Sequence, residues 1–154
     1  MPHYAAPSAT TMSAGVCWRR WCCAGPALSW VVAGPRIRSF AEFWPYYVGA
    51  HRKPLNRALH CVGTSCALAC AVASVVTVNP LLLLAAPVIG YGPAWVGHFL
   101  VEGNRPASFD YARYSLMADF KMLGCALRGK LDDEVIRLFG SSNPAPDAPL
   151  RATR

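Results

Sequence analysis

Formal charge is what this chain is short of. Only 15% of its 154 residues are charged, eight are acidic, and Ala58 to Val101 contains no Lys, Arg, Asp or Glu at all. A soluble domain of this length carries more charge and less apolar surplus, so an ordinary water-soluble bundle is disfavoured. The seven cysteines (Cys17, Cys22, Cys23, Cys61, Cys66, Cys70, Cys125) form no C-x-x-C pair and no zinc-finger spacing. Three of them lie on the uncharged run as small hydrophobes, which argues against a disulfide framework. No repeat, Gly-rich phosphate loop or nucleophile elbow is present, and the net charge of +7 comes without a basic run. Nucleic acid is therefore not an expected partner, and the charge suits anionic lipid headgroups.

What is there is mostly apolar helix. A bilayer core needs about 20 apolar residues of helix, and 58–78 and 81–101 each supply that length on either side of Asn79-Pro80, a turn signal. The expected fold is all-α, an integral membrane hairpin of two spans flanked by amphipathic or interfacial helices. Arg52, Lys53 and Arg57 precede the first span, Arg105 and Arg113 follow the second, and the tip has no charge. The positive-inside rule then puts the open end of the hairpin toward the cytoplasm or its equivalent.

The flanks divide into three parts. Residues 1–38 hold four arginines and no acid. They read either as an organelle-targeting segment or as an extension without structural role, and 39–140 is taken as the domain. Ser39-Phe40-Ala41-Glu42 has the form of a capping box and starts a short aromatic helix that suits the headgroup zone or packing against the hairpin, with Pro45 kinking it or delaying its start. A third helix runs from about Ser108, its stripe being Phe109, Ala112, Leu116, Phe120, Leu123 and Leu127. Asp119 and Lys121 argue that it lies at the interface rather than crossing. Leu131 to Phe139 forms one more short helix closed by Gly140, and 141–154, rich in Pro and Ala, is expected to be disordered.

The chemistry sits where the spans meet the interface. His51 and His60 flank the start of the first span, and His98 and Glu102, one helical turn apart, the end of the second. A folded hairpin would gather three imidazoles and a carboxylate at one depth, the donor preference of non-haem Fe(II) in O2-using enzymes. His51, His60, His98 and Glu102 are the candidate metal ligands, with Glu102 either the fourth ligand or the group that orients a ring. Asn56, Asn104 and Asp119 are candidate partners that orient ligand rings, so Glu102, Asn104 and Asp119 form the candidate catalytic set. Arg52, Lys53, Asn56 and Arg105 are candidate contacts for an anionic substrate. Membrane di-iron enzymes need about twice as many histidines as the four here. A bis-histidine haem, admitted beside Gly63 and Gly97, and a scaffold without chemistry remain as alternatives.

Phe43-Trp44-Pro45-Tyr46-Tyr47, His51, Pro54, Arg57, His60, Gly90-Tyr91, Ala94-Trp95, Gly97-His98-Phe99, Glu102, Asn104, Arg105-Pro106-Ala107 and Phe109 resemble, in order and spacing, a membrane family of 2-hydroxy fatty acid dioxygenases. The likeness runs from about Phe40 to Lys130 and is nearer to the short bacterial-type members than to the longer fungal ones; Pro93 is a departure. The resemblance implies an Fe(2+) cofactor, O2, and conversion of a 2-hydroxy fatty acid to the acid one carbon shorter plus CO2. In the fungal members this serves α-oxidation of sphingolipid-derived chains at the endoplasmic reticulum. The lipid bilayer is the expected surrounding, and a homo-oligomer is left open.

Overall fold

The computed structural model describes residues 36–151, so nearly all of the targeting or extension segment lies outside the described residues. Among them every regular element is helical. Helix α1 is Phe40–Gly49, α2 is Pro54–Val76, α3 is Pro80–Val96 and continues as a π turn over Gly97–Glu102. A 3-10 turn, Ala107–Phe109, leads to α4, Ala112–Leu127, and α5, Leu131–Phe139.

The hairpin forms as its sequence requires. Pro54 and Pro80 occupy first-turn positions of α2 and α3, where a missing N–H costs nothing. Asn79 caps α3 by accepting from Leu81 N at 3.1 Å, and Ser74 Oγ donates to Asn79 O at 2.8 Å. The two helices touch along the backbone at Gly63 and Gly90, where a Cβ on Gly63 would overlap the Gly90 carbonyl oxygen. Pro54–Val76 and Pro80–Glu102 are each 23 residues long and apolar enough to cross a membrane. Only 17% of each apolar window is buried, which suits candidate membrane spans, whereas a soluble core helix would be mostly buried.

The smaller helices pack as a cap on the open end of the hairpin. Phe43, Trp44, Tyr47 and Val48 of α1 are buried with Ala118 and Met122 of α4 and Val135 and Leu138 of α5. The aromatic helix is thus a packing element, with Trp44 and Tyr47 stacked at 5.9 Å. Pro45 is accommodated inside it without delaying its start: Ser39 Oγ accepts from Glu42 N at 3.2 Å. Glu42 returns the bond to Arg38 N, one residue earlier than a capping box prescribes.

Two expectations are corrected. The apolar stripe of α4 is split between two faces: Leu116, Phe120 and Leu127 are exposed, while Leu123 is buried with Ser115, Ala118 and Met122. Two of the charges on α4 have partners in the fold, Asp119 beneath His60 and Lys121 Nζ 4.0 Å from the Trp44 ring centre. The described part of the tail, 141–151, is held to the cap. Arg52 donates to Ala145 O and, at 3.0 Å, to Ala148 O; Arg57 donates to Ser142 O at 2.7 Å; and Arg151 N donates to Leu138 O at 2.8 Å. Its composition suggested disorder, but the buried Arg57 and the partly buried Arg52 need acceptors, and these carbonyls supply them.

Candidate metal centre

Three chain segments deliver three imidazoles to one buried point. His51 lies just past the end of α1, where the last carbonyls of a helix lack partners, and its Nδ1 meets Tyr47 O at 2.6 Å. His60 stands two turns into α2, its Nδ1 2.8 Å from Asp119 Oδ1 of α4. His98 sits in the π turn, its Nδ1 2.7 Å from Asn104 Oδ1. Gly103, at φ 72°, lets the chain double back so that Asn104 reaches this ring. Asn104 Nδ2 donates to Ala50 O at 2.9 Å, which fixes its oxygen toward His98. His51, His60 and His98 are all buried.

These contacts decide the tautomers. A carbonyl, a carboxylate and an amide oxygen can only accept, so each Nδ1 carries the proton and each Nε2 presents a lone pair. His51 Nε2 and His60 Nε2 face each other at 3.1 Å, and one ligand nitrogen from each ring lies within 4.8 Å of the others. Burial holds His51 well below the usual imidazole range and therefore neutral. Opposed lone pairs in a dry pocket repel, and a cation between them reverses the sign of that interaction. Metal–imidazole bonds near 2.0 to 2.1 Å require the nitrogens to come within about 4.2 Å of one another, so the three residues fit a metal with little movement.

Glu102, a candidate ligand, is outside this group. Helix α2 starts without a side-chain cap of its own, and Glu102 Oε1 accepts from Lys53 N at 2.6 Å and Asn56 Nδ2 at 3.4 Å. The carboxylate serves unpaired amides at a helix start, where the dipole favours it. Asp119 is the acid at the centre: besides His60 it accepts from the Tyr47 hydroxyl. Asn104 and Asp119 thus sit where ring-orienting partners were expected, and Glu102 does not.

The candidate substrate contacts are elsewhere. Arg52 binds the tail, and Lys53 Nζ donates to Val101 O at 2.5 Å. Asn56 is fully buried against Gly97. Arg105 is exposed, 3.5 Å from Asp110. Sequence reasoning assigned all four by charge or polarity near the interface, but backbone carbonyls claim Arg52 and Lys53, and Asn56 donates to the Glu102 carboxylate.

Tyr91 and Ser115 were missed. Both line a cavity of about 10 Å3 with the three histidines and Asp119, room for one water-sized group. Ser115 Oγ is buried without a partner. The sole sequence signal for Ser115 was its spacing of four from Asp119 on α4, which puts both on one face.

The haem alternative fails on space. Gly63 is filled by Gly90 and Gly97 by Asn56, so neither glycine opens a slot for a porphyrin beside His60 and His98.

Residues 37–131 match the family described as 2-hydroxy-palmitic acid dioxygenase Mpo1-like. The chain belongs to the Mpo1-like family. No curated protein and no solved structure gives a significant match. The matched segment of this Mpo1-like chain contains all three histidines, Asn104 and Asp119. A dioxygenase-like function and a three-histidine group able to hold a metal ion are thereby its coarse description.

Proposed function

We propose that this Mpo1-like protein is an Fe(II)-dependent dioxygenase that converts a 2-hydroxy fatty acid and O2 to the acid one carbon shorter, CO2 and water. The observation that carries the reading is the convergence of three buried imidazoles, each with its proton held at Nδ1 and its lone pair turned to a shared point. Carbon 1 leaves as CO2 and carbon 2 passes from alcohol to carboxylic acid, a loss of four electrons that one O2 accepts, so the balance needs no further reductant. A bound ferrous ion supplies the redox chemistry that lets a spin-paired organic acid react with O2.

The chain's own residues supply binding and neutrality. Among the described residues, Asp119 is the single formally charged group lining the cavity. Three neutral imidazoles, one aspartate, a dication and a monoanionic 2-hydroxy acid sum to zero, the balance a buried site needs. Ser115 Oγ is free to donate to the head group of the acid, and Tyr47 holds Asp119 so that the carboxylate stays on His60. The cap of α1, α4 and α5 keeps water from the rings. We place the histidine end on the cytoplasmic side, from the flanking basic residues, and the endoplasmic reticulum follows from family likeness.

Purified protein reconstituted with Fe(II) should release CO2 from 2-hydroxypalmitate and yield pentadecanoate, and His98→Ala should do neither. Product from the variant at the wild-type rate, or none from the wild type at any chain length, would end the enzyme reading. A scaffold should purify without stoichiometric iron, whereas this centre should hold about one ion per chain, the number one set of three ligands can bind.

A further inference from the structure

A second space leaves the histidine cavity and runs along the hairpin. It has a volume of about 320 Å3, and His60, Tyr91, Ala94 and Asp119 line both spaces, so the two adjoin. On α2 its wall passes from His60 through Thr64 and Ala67 to Ala71; on α3 it passes from Ala94 back through Gly90 and Ala86 to Leu83. Steps of three and four residues keep each wall on one helix face. The walls are mostly Ala, Gly and Thr in helices otherwise rich in Leu and Val, so the groove exists because its side chains are small. Leu68, Leu83, Leu116 and Phe120 form an exposed rim, which opens the groove sideways toward bilayer hydrocarbon. Past Ala71 the helices close, with Ser74 buried and bonded to Asn79 O.

We infer that this groove seats the tail of the acid and limits its length, with Ala71 and Leu83 marking the far end; the inference rests on the 2-hydroxy acid reading of the histidine site. Each wall runs eleven residue steps, 60 to 71 and 94 to 83, which is about 16 Å of helix at 1.5 Å per step. An extended saturated chain advances about 1.25 Å per carbon, given bonds near 1.5 Å. Roughly 13 carbons therefore fit beyond the two held at the histidines, an acid of about 15 or 16 carbons. The tail arrives from hydrocarbon rather than water, so each methylene gains little of the usual ~0.8 kcal/mol. Length discrimination then comes from the closed end. Activity should be nearly flat up to the limit and fall beyond it.

The test uses the full chain in lipid nanodiscs with Fe(II), a series of saturated 2-hydroxy acids, and two diazirine analogues of 2-hydroxypalmitate, labelled near C3 or near the ω end. Ala71→Phe, which fills the end of the groove, should keep activity on 2-hydroxydodecanoate within about twofold. It should lose about tenfold or more on 2-hydroxypalmitate, about 1.4 kcal/mol of discrimination. Leu83→Ala, at an exposed position, should move the limit to longer acids. The ω label should map to the Ala71 and Leu83 walls and the C3 label near Tyr91, both competed by unlabelled 2-hydroxypalmitate. Equal loss on short and long acids overturns the length limit while leaving the enzyme reading intact. No turnover by wild type at any length ends the enzyme reading, and the labels alone then decide. Competed labelling at Ala71 and Leu83 upholds the groove; labelling competed only by phospholipid, or scattered over the outer helix faces, overturns it.

Discussion

Asp119→Asn removes one charge and almost no volume from the centre, which makes it the sharpest probe of whether the histidines are held for a metal. The Asp119 side chain is 12% exposed and touches His60 Nδ1 at 2.8 Å, so its charge is little screened. Changing a residue that orients a ligand ring weakens metal binding by roughly 10- to 100-fold, and this buried contact belongs at the upper end. At a metal concentration about a thousand times the wild-type Kd, binding stabilises the fold by about 4.1 kcal/mol; a site 100-fold weaker retains about 1.4 kcal/mol. The metal-induced rise in Tm should therefore shrink to about a third in Asp119→Asn, in parallel with weaker binding in a chelator-competition titration. The metal-free melting point should barely move, because an asparagine oxygen still accepts from Tyr47 and His60. Equal metal-induced shifts in the two proteins would refute the argument. So would a metal-free loss as large as the wild-type metal effect, since that marks Asp119 as a purely structural group.

Two further outcomes follow from the packing. Gly63→Ala drives a methyl into the Gly90 carbonyl, whereas Gly92→Ala meets nothing within 4 Å. The first should cost about 1 to 3 kcal/mol in unfolding assays and the second almost nothing, and equal effects would show that the hairpin is not closely packed there. At Glu134, hydrogen bonds from Arg137 hold the carboxyl down from 4.5 to about 2, with Trp44 Nε1 at 2.7 Å contributing. The folded value lies below the unfolded one, so this stabilisation is complete above the ordinary carboxylate range and fades as pH falls toward 2. The Tm gap between wild type and Glu134→Gln should be widest near neutrality and close through that window; a gap independent of pH would contradict it.

Much of this architecture was legible because it depends on local pattern. Uncharged runs of span length, Asn79-Pro80 between them and prolines at first-turn positions specify a hairpin without reference to anything distant. An antiparallel hairpin then forces His60 and His98 to one end. Acid partners were not legible in the same way. Glu102 looked like a ligand because it follows His98 by four, but the uncapped start of α2 competes for it across the hairpin. Asp119 was a candidate ring-orienting partner by its polarity, but its place off the apolar stripe of α4 did not say which of the three rings it would hold. Arg52 and Arg57 looked like surface charges for the same reason, while in the fold they gather carbonyls from the tail.

Sequence alone determined that two apolar rods fold back on each other with imidazoles at their open end, because helix length, turn chemistry and charge placement act within a few residues. Only the tertiary structure decided which groups hold those rings. Each Nδ1 chooses the nearest acceptor in space, and a separation of 59 positions between His60 and Asp119 carries no mark of that choice.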